Sequence, residues 1–387
     1  MEAGRVARPR VAAVREAMAR RGLDALLLVS GPNLSYFSGY PTVERTAVRP
    51  FYLVLPRSGD LTMVVHAGRA LEARRFSWVG DVRVYERLGA PPLEILIPLL
   101  AGRGLSGAVI GMELGGELRL GLSVADFEQI REGLAPARVV DASPAIWDVR
   151  LRKDAVEIAA IRSACAWTAT AYERTFASIV PGAIESAIRA RMLAELAELS
   201  GDGWAVITSG QGNYDLATGP GTPRVIEPGD MVWLDAGCSF SGFSSDFSRA
   251  AVIGTPSPEQ AEAHHAICEI TRAAVALVTP GRPVSEIAAY CDDAIARLGV
   301  AITSSVSGLA GRVGHGLGLS TTEPPSLAGN DPTVLEAGMV VTIEPGFATE
   351  FGIFHVEQNV AVTDGGPDVL SAAPWELHEA GYPIGRQ

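Results

Sequence analysis

Residues 229–237 read GDMVWLDAG and residues 338–346 read GMVVTIEPG. Each is a glycine, an apolar strand-like run, a carboxylate six residues after the glycine, and a second glycine two residues further on. Each then runs through a loop rich in Gly, Phe and Ser or Thr into a second strand with a second carboxylate, Asp246 in SSDFSRAAVIG and Glu357 in HVEQNVAVT. Apolar spacing of helical period precedes both copies, at 155–177 and 183–199, then at 257–278 and 284–297. Glycines and turn clusters within the strands point to curved antiparallel pairs. The plainest reading is a duplicated α/β half that faces its copy across a pseudo-two-fold axis, each half delivering two carboxylates to the centre.

Asp235 and Glu344 lie in otherwise apolar strands, where a lone buried carboxylate is costly unless paired or bound to a metal. Side chains alternate along a strand, so one carboxylate per strand can face a common pocket. Four such groups in one pocket require cations, because like charges push protons back on. An imidazole candidate is His315 in residues 313–319 (VGHGLGL), whose glycines let backbone pack close to a crowded site. The set Asp235, Asp246, His315, Glu344 and Glu357 is enough for two divalent ions; oxygen-rich donors with one imidazole suit Mn, Co, Fe or Zn. Two ions ~3.5–4 Å apart can hold a bridging hydroxide and polarise a carbonyl or phosphoryl oxygen. Taken singly, a strand Asp is more often a hydrogen-bonded turn residue, a His after Gly more often structural, and Glu357 reads as a solvated strand face. The duplicated spacing with one His between is what favours a metal site.

The rest of the chain fits a two-domain protein. Its 387 residues are long for one domain. With 48% apolar residues it is not a disordered chain. No run of 18 apolar residues occurs; the densest stretches, 24–30 (DALLLVS) and 93–100 (LEILIPLL), are core-sized, so no membrane span is expected. The three arginines at the N-terminus are not followed by an apolar segment, unlike a secretory signal. Cys165, Cys238, Cys268 and Cys291 lack CxxC spacing, and a reducing cytoplasm is the simplest home. A net charge of −12 argues against a nucleic-acid partner. Residues 1–150 alternate helix and strand: a helix near 11–21, strands near 25–29, 51–55, 61–66, 82–85, 108–112 and 139–142, and helices at 67–75 and 124–133. The charged stretch 148–154 (DVRLRKD) divides domain 1–150 from domain 151–387.

The order Asp, Asp, His, Glu, Glu, carried by LDAG, SDFSR, GHGLGL, TIEPG and HVEQNVAVT, resembles the pita-bread metallopeptidases: prolidase, aminopeptidase P and methionine aminopeptidase, with creatinase a metal-free relative. The resemblance covers nearly the whole chain; residues 1–150, including 31–40 (GPNLSYFSGY), look like the creatinase/prolidase N-terminal domain, which methionine aminopeptidases lack. It implies an α/β N-terminal domain followed by an α+β pita-bread domain. It also implies hydrolysis of a C–N bond in a dipeptide or small molecule, Xaa-Pro dipeptidase- or aminopeptidase-like. Asp235 would chelate one ion, His315 and Glu344 the other, and Asp246 and Glu357 would bridge. A metal-held hydroxide would attack the scissile carbonyl while Glu344 relays the proton to the leaving nitrogen. A homodimer is expected by the same analogy, with segment 40–49 (YPTVERTAVR) as a lid or partner contact.

Three departures bear on substrate. Thr218 stands where prolyl peptidases of the family usually carry His about 17 residues before the first Asp ligand. Thr322 replaces the His of the HExP segment, and His355 replaces the Arg two residues before the last Glu ligand. A Thr hydroxyl hydrogen-bonds but cannot carry positive charge. Tyr214, Thr218, Thr322 and His355 are the substrate-contact candidates. Two readings stay open: a divergent Xaa-Pro dipeptidase, or another reaction on the same centre. The second includes an ectoine-hydrolase-like amidine or amide opener and, less favoured, a dimethylsulfoniopropionate-lyase-like C–S cleavage, whose first ligand strand resembles DxD where this chain has Asp235–Ala236–Gly237. A non-catalytic binding module is the third alternative, disfavoured because all five ligands remain.

Overall fold

The computed structural model describes residues 2–29, 31–41, 49–215 and 219–381. They form two compact units, Met1–Arg150 and Leu151–Gln387. Thr218 and residues 42–48 of the expected lid segment lie outside the described residues.

The first unit is built on a six-stranded mixed sheet in the order Asp81–Tyr85, Thr62–His66, Tyr52–Pro56, Ala25–Val29, Val109–Met112, Arg138–Asp141. Its central strands Ala25–Val29 and Tyr52–Pro56 are buried at every position. A strand covered on both faces reads as an unbroken apolar run, which is why these two stood out in the sequence. Three helices were not marked by periodicity: Gly31–Ser38, Leu93–Gly102 and Ser143–Arg150. Each contains a proline, Pro32, Pro98 or Pro144, which a sequence reading takes for a break. Pro32 and Pro144 stand at the second position of their helices, where proline removes no needed N–H; Pro98 lies inside its helix. The first helix, Glu2–Arg20, also starts well before the expected residue 11 and runs through Pro9.

The second unit repeats one pattern twice. Helices Ala155–Ala177 and Glu185–Ser200 precede the strand Met231–Gly237, which pairs antiparallel with Phe247–Ile253. Helices Pro258–Ala276 and Val284–Ala296 precede Val340–Ile343, which pairs antiparallel with Gln358–Thr363. The first helix of each pair opens with a capping box, Asp154 with Glu157 and Ser257 with Gln260, so the N–H three residues into each helix and the cap N–H are satisfied in the same way. The first hairpin belongs to a four-stranded sheet flanked by Trp204–Ser209 and His378–Ala380. The second belongs to a five-stranded sheet with His315–Gly316, Glu323–Ser326 and Gly366–Val369. A three-stranded ribbon, Ser304–Ser305 with Gly346–Thr349 and Gly352–His355, continues the second hairpin. Apolar cores lie beneath each half, one around Ile287, Val341 and Val360, the other around Trp233, Ile267 and Phe354.

Candidate metal centre

The five sequence candidates converge. Asp246, His315 and Glu357 each bring a ligand atom within 4.8 Å of the others, and so do Glu344, His355 and Glu357. The carboxyls of Asp235 and Glu357 face each other. His315 Nε2 stands 3.6 Å from Asp246 Oδ2 and 3.5 Å from Glu344 Oε1.

Only Asp235 lies inside its strand. Asp246 and Glu357 sit one residue before Phe247–Ile253 and Gln358–Thr363, and Glu344 one residue after Val340–Ile343. This differs from the expectation that Glu344 is a strand residue. Pro345 follows it, and a residue without an N–H cannot extend the ladder. The carboxylates therefore cluster where the two hairpins end.

Side chains from each half fix the backbone of the other. Asp246 N–H donates to Asn359 Oδ1 at 3.0 Å, and Asn359 Nδ2 donates back to the Asp246 carbonyl. The buried Arg249 guanidinium donates from Nη1 to the carbonyls of Ser248 (2.7 Å) and Glu357 (2.8 Å), and from Nε to the Pro374 carbonyl (2.7 Å). His315 is held by its own N–H on Thr342 Oγ1 at 3.0 Å and by Nδ1 on the Gly316 carbonyl at 3.0 Å. The glycines around it answer the crowding inferred from the sequence: a Cβ at Gly314 would fall 2.2 Å from the Thr342 carbonyl oxygen, and one at Gly316 2.0 Å from that of Pro324.

The electrostatics are those of a site built for cations. Burial, reinforced by the neighbouring carboxylates, pushes Glu344 up to about 8 and lifts Asp246 and Glu357 well above the usual carboxylate range. Burial pushes Asp235 up to about 7, against the Ala236 backbone N–H that favours its ionised form. Burial, and then the charge of Arg312, pushes His315 down to about 4, so its imidazole is neutral. Glu357 Oε1 and Oε2 and Asp235 Oδ1 are buried and make no hydrogen bond. Buried oxygens are left bare only at a price of about 1–3 kcal/mol each unless something fills them. Divalent ions coordinated by these oxygens remove both the bare acceptors and the mutual repulsion. The donor set therefore fits the ions, with hard carboxylate oxygens and a neutral imidazole.

The substrate-contact candidates fare differently. Tyr214 is 4% exposed and packs with Met231, Trp233 and Phe354; its hydroxyl accepts the Met231 N–H at 3.0 Å. Tyr214 thus sits in the apolar core of the second unit, with its polar end used by the backbone. Thr322 is half-buried, and its Oγ1 accepts from Arg312 Nη2 at 3.5 Å. His355 is buried and turns Nε2 toward Glu344 Oε2 at 3.8 Å. Cys238 lies 3.4 Å from Thr168 Oγ1 beneath the first hairpin, and burial pushes its thiol up, as befits a packing residue.

Two features escaped the sequence reading. Arg312 lowers the carboxylate values of Asp246 and Glu344 through its charge. The only sign of it was a cation in a glycine-rich run three residues before His315. Lys153 Nζ and Glu323 Oε2 form an ion pair at 3.3 Å with side chains 2% and 1% exposed. It joins the domain-boundary stretch to the segment carrying Thr322.

Known proteins match this arrangement along the chain. Residues 159–364 match the model of metallopeptidase family M24, and residues 10–152 that of the creatinase/prolidase N-terminal domain. The Xaa-Pro dipeptidase of Lactobacillus helveticus is 28% identical over 345 residues, 87% of this chain and 90% of that protein. A solved dipeptidase from Mycobacterium ulcerans is 28% identical with a TM-score of 0.79, covering 97% of this chain and 98% of that one. A solved Xaa-Pro dipeptidase from Bacillus anthracis superimposes with a TM-score of 0.82 at 22% identity, covering 96% and 99%, and shares the fold of an N-terminal domain followed by a pita-bread domain. No helix among the described residues is long and apolar enough to cross a membrane. With more than half its length matched by the family model, the chain belongs to metallopeptidase family M24 and is a metal-dependent hydrolase.

Proposed function

We propose that this enzyme cleaves the amide bond of Xaa-Pro dipeptides or a closely similar small C–N substrate at a centre of two divalent ions. Asp235 would hold one ion, His315 and Glu344 the other, and Asp246 and Glu357 would be shared. The observation that carries the reading is the group of buried oxygens without hydrogen bonds, Glu357 Oε1 and Oε2 and Asp235 Oδ1, at the meeting point of two carboxylate hairpins. When bound, such ions supply Lewis acidity to the scissile carbonyl and lower the pKa of a coordinated water.

The chain's own residues supply the rest. Glu344 keeps its side chain 16% exposed, so an oxygen of that carboxyl can take a proton from the attacking water and hand it to the leaving nitrogen. His315 is kept neutral, with its Nδ1 proton committed to Gly316, and so offers Nε2 as a donor. Arg312, bonded to Thr322, provides positive charge where the family's imidazole is missing.

Manganese is the first choice of ion. The two units correspond, in this reading, to a creatinase/prolidase-like N-terminal domain and a catalytic domain, and the protein works as a homodimer on a peptide substrate. Four buried free cysteines fit a cytoplasmic setting. A second reading, hydrolysis of another small amide or a cyclic amidine, is favoured by Thr322 in place of an imidazole. Turnover of a panel of Xaa-Pro dipeptides by Mn- and Co-loaded protein, beside a chelator-stripped control, separates them. Metal-dependent release of proline supports the dipeptidase; none from protein holding two ions refutes it and moves the search to small amides and amidines.

A further inference from the structure

We propose that His355 is a sixth protein ligand of this centre, binding through Nε2 on the side of Glu344 opposite His315; the inference rests on the two-ion reading above.

The wiring of the ring points there. Ser248 Oγ donates its single proton to the His355 carbonyl at 3.1 Å and lies 2.8 Å from His355 Nδ1. When that proton is used there, Oγ accepts from Nδ1, and the neutral ring carries its hydrogen on Nδ1 and a lone pair on Nε2. His315 has the same arrangement, its Nδ1 turned to the Gly316 carbonyl and its Nε2 inward. The two inward nitrogens flank one carboxylate: His315 Nε2 is 3.5 Å from Glu344 Oε1 and His355 Nε2 is 3.8 Å from Glu344 Oε2. These distances exceed the N–H···O range of roughly 2.7–3.2 Å. They match two donors that share an ion at bonds of about 2.0–2.2 Å, which stand roughly 3–4 Å apart. Glu357 completes the group, with one ligand atom of each of Glu344, His355 and Glu357 within 4.8 Å of the others.

The ring is also built in. A Cβ on Gly346 would fall 2.5 Å from His355 Cδ2, so the imidazole occupies space that only a glycine leaves free. Trp233 stands edge-on at 5.5 Å between centroids and blocks rotation. A competing arrangement puts the proton on Nε2 and makes the ring a donor to the Glu344 main-chain carbonyl, which is also near it. In that case the ring would hold Glu344 in position without touching an ion. A ligand role has a further consequence: a second imidazole softens the donor set and moves ion preference from manganese toward cobalt, iron or zinc.

The test is His355→Asn, which keeps a donor for Ser248 and removes the inward nitrogen. Purified wild-type and variant are stripped and titrated with Co(II), reading stoichiometry by mass spectrometry, affinity by chelator competition, and the visible absorption of the bound ion. We expect the wild type to hold two ions, and the variant to bind one of them at least 100-fold more weakly with an altered absorption band. Two ions held with affinities within threefold of wild type and an unchanged band would overturn the ligand role and leave the five-residue centre standing. A wild type that takes up no ion overturns both. If the variant does not fold by circular dichroism, Ser248→Ala decides. Loss of the Nδ1 acceptor should weaken one ion about tenfold and shift the band; no change in either refutes the assignment.

Discussion

Replacing Lys153 by Met should unfold this protein far more readily than its conservative volume suggests. The Lys153–Glu323 pair is almost fully withdrawn from water, with side chains 2% and 1% exposed. Removing one member of a buried pair costs about 3–5 kcal/mol. At roughly 2–4 °C per kcal/mol for a domain of this size, the melting temperature should fall by about 6–20 °C. Thermal unfolding followed by tryptophan fluorescence measures it directly. The double variant Lys153→Met/Glu323→Gln, which removes both charges of the pair, should recover more than half of the loss. The adjacent Arg152 pairs with Glu336 at the surface, the side chains 53% and 54% exposed, so Arg152→Met should leave the melting point nearly unchanged. A Lys153→Met protein that melts within about 2 °C of the wild type would refute the argument that burial, not pairing as such, sets the cost.

Asp246→Ala and Glu357→Ala should each abolish both metal retention, read by elemental analysis, and hydrolytic activity; full activity in either overturns the ligand assignment. Because burial raises the carboxyls of the centre, ion uptake by stripped protein should release protons, and apparent affinity should climb about tenfold per pH unit for each proton released between pH 5 and 8. Calorimetry in buffers of different ionisation enthalpy reads this, and heats independent of the buffer would contradict it. In the first unit, burial pushes Glu113 up to about 7 against the hydrogen bonds from Asn33 and Val29. The folded state then holds that proton more tightly than the unfolded one, so stability is greatest below the unfolded value near 4.5 and falls as pH rises through about 7, by about 3 kcal/mol in all. Glu113→Gln should flatten the melting curve over that window, and parallel curves for the two proteins would remove the explanation.

Much of the fold was legible because its signals are local. Continuous apolar runs gave Ala25–Val29 and Tyr52–Pro56, and the repeated glycine–strand–carboxylate spacing gave both hairpins that hold the centre. Gly31–Ser38 and Ser143–Arg150 were missed because a proline in the first turn costs a helix nothing, and Leu93–Gly102 because it carries Pro98 inside the helix. At the centre, Asp235, Asp246, His315, Glu344 and Glu357 could be named since each sits in a patterned segment. The burial of Tyr214 could not be read from its own segment, because it depends on Met231 and Phe354. Lys153 with Glu323, and Asp246 with Asn359, are pairings across more than a hundred residues. No local period reports them.

The reciprocal bonds between Asn359 and Asp246, together with the Arg249 clamp on the Glu357 carbonyl, bear on how the enzyme matures. They set the ligand backbones by hydrogen bonds that do not involve an ion. In a zinc finger the metal makes the fold; here bonds that need no ion hold the ligand backbones, so the stripped protein is expected to keep its fold and to take whichever divalent ion the surroundings provide. The composition of the isolated enzyme should accordingly record the medium in which the cells were grown.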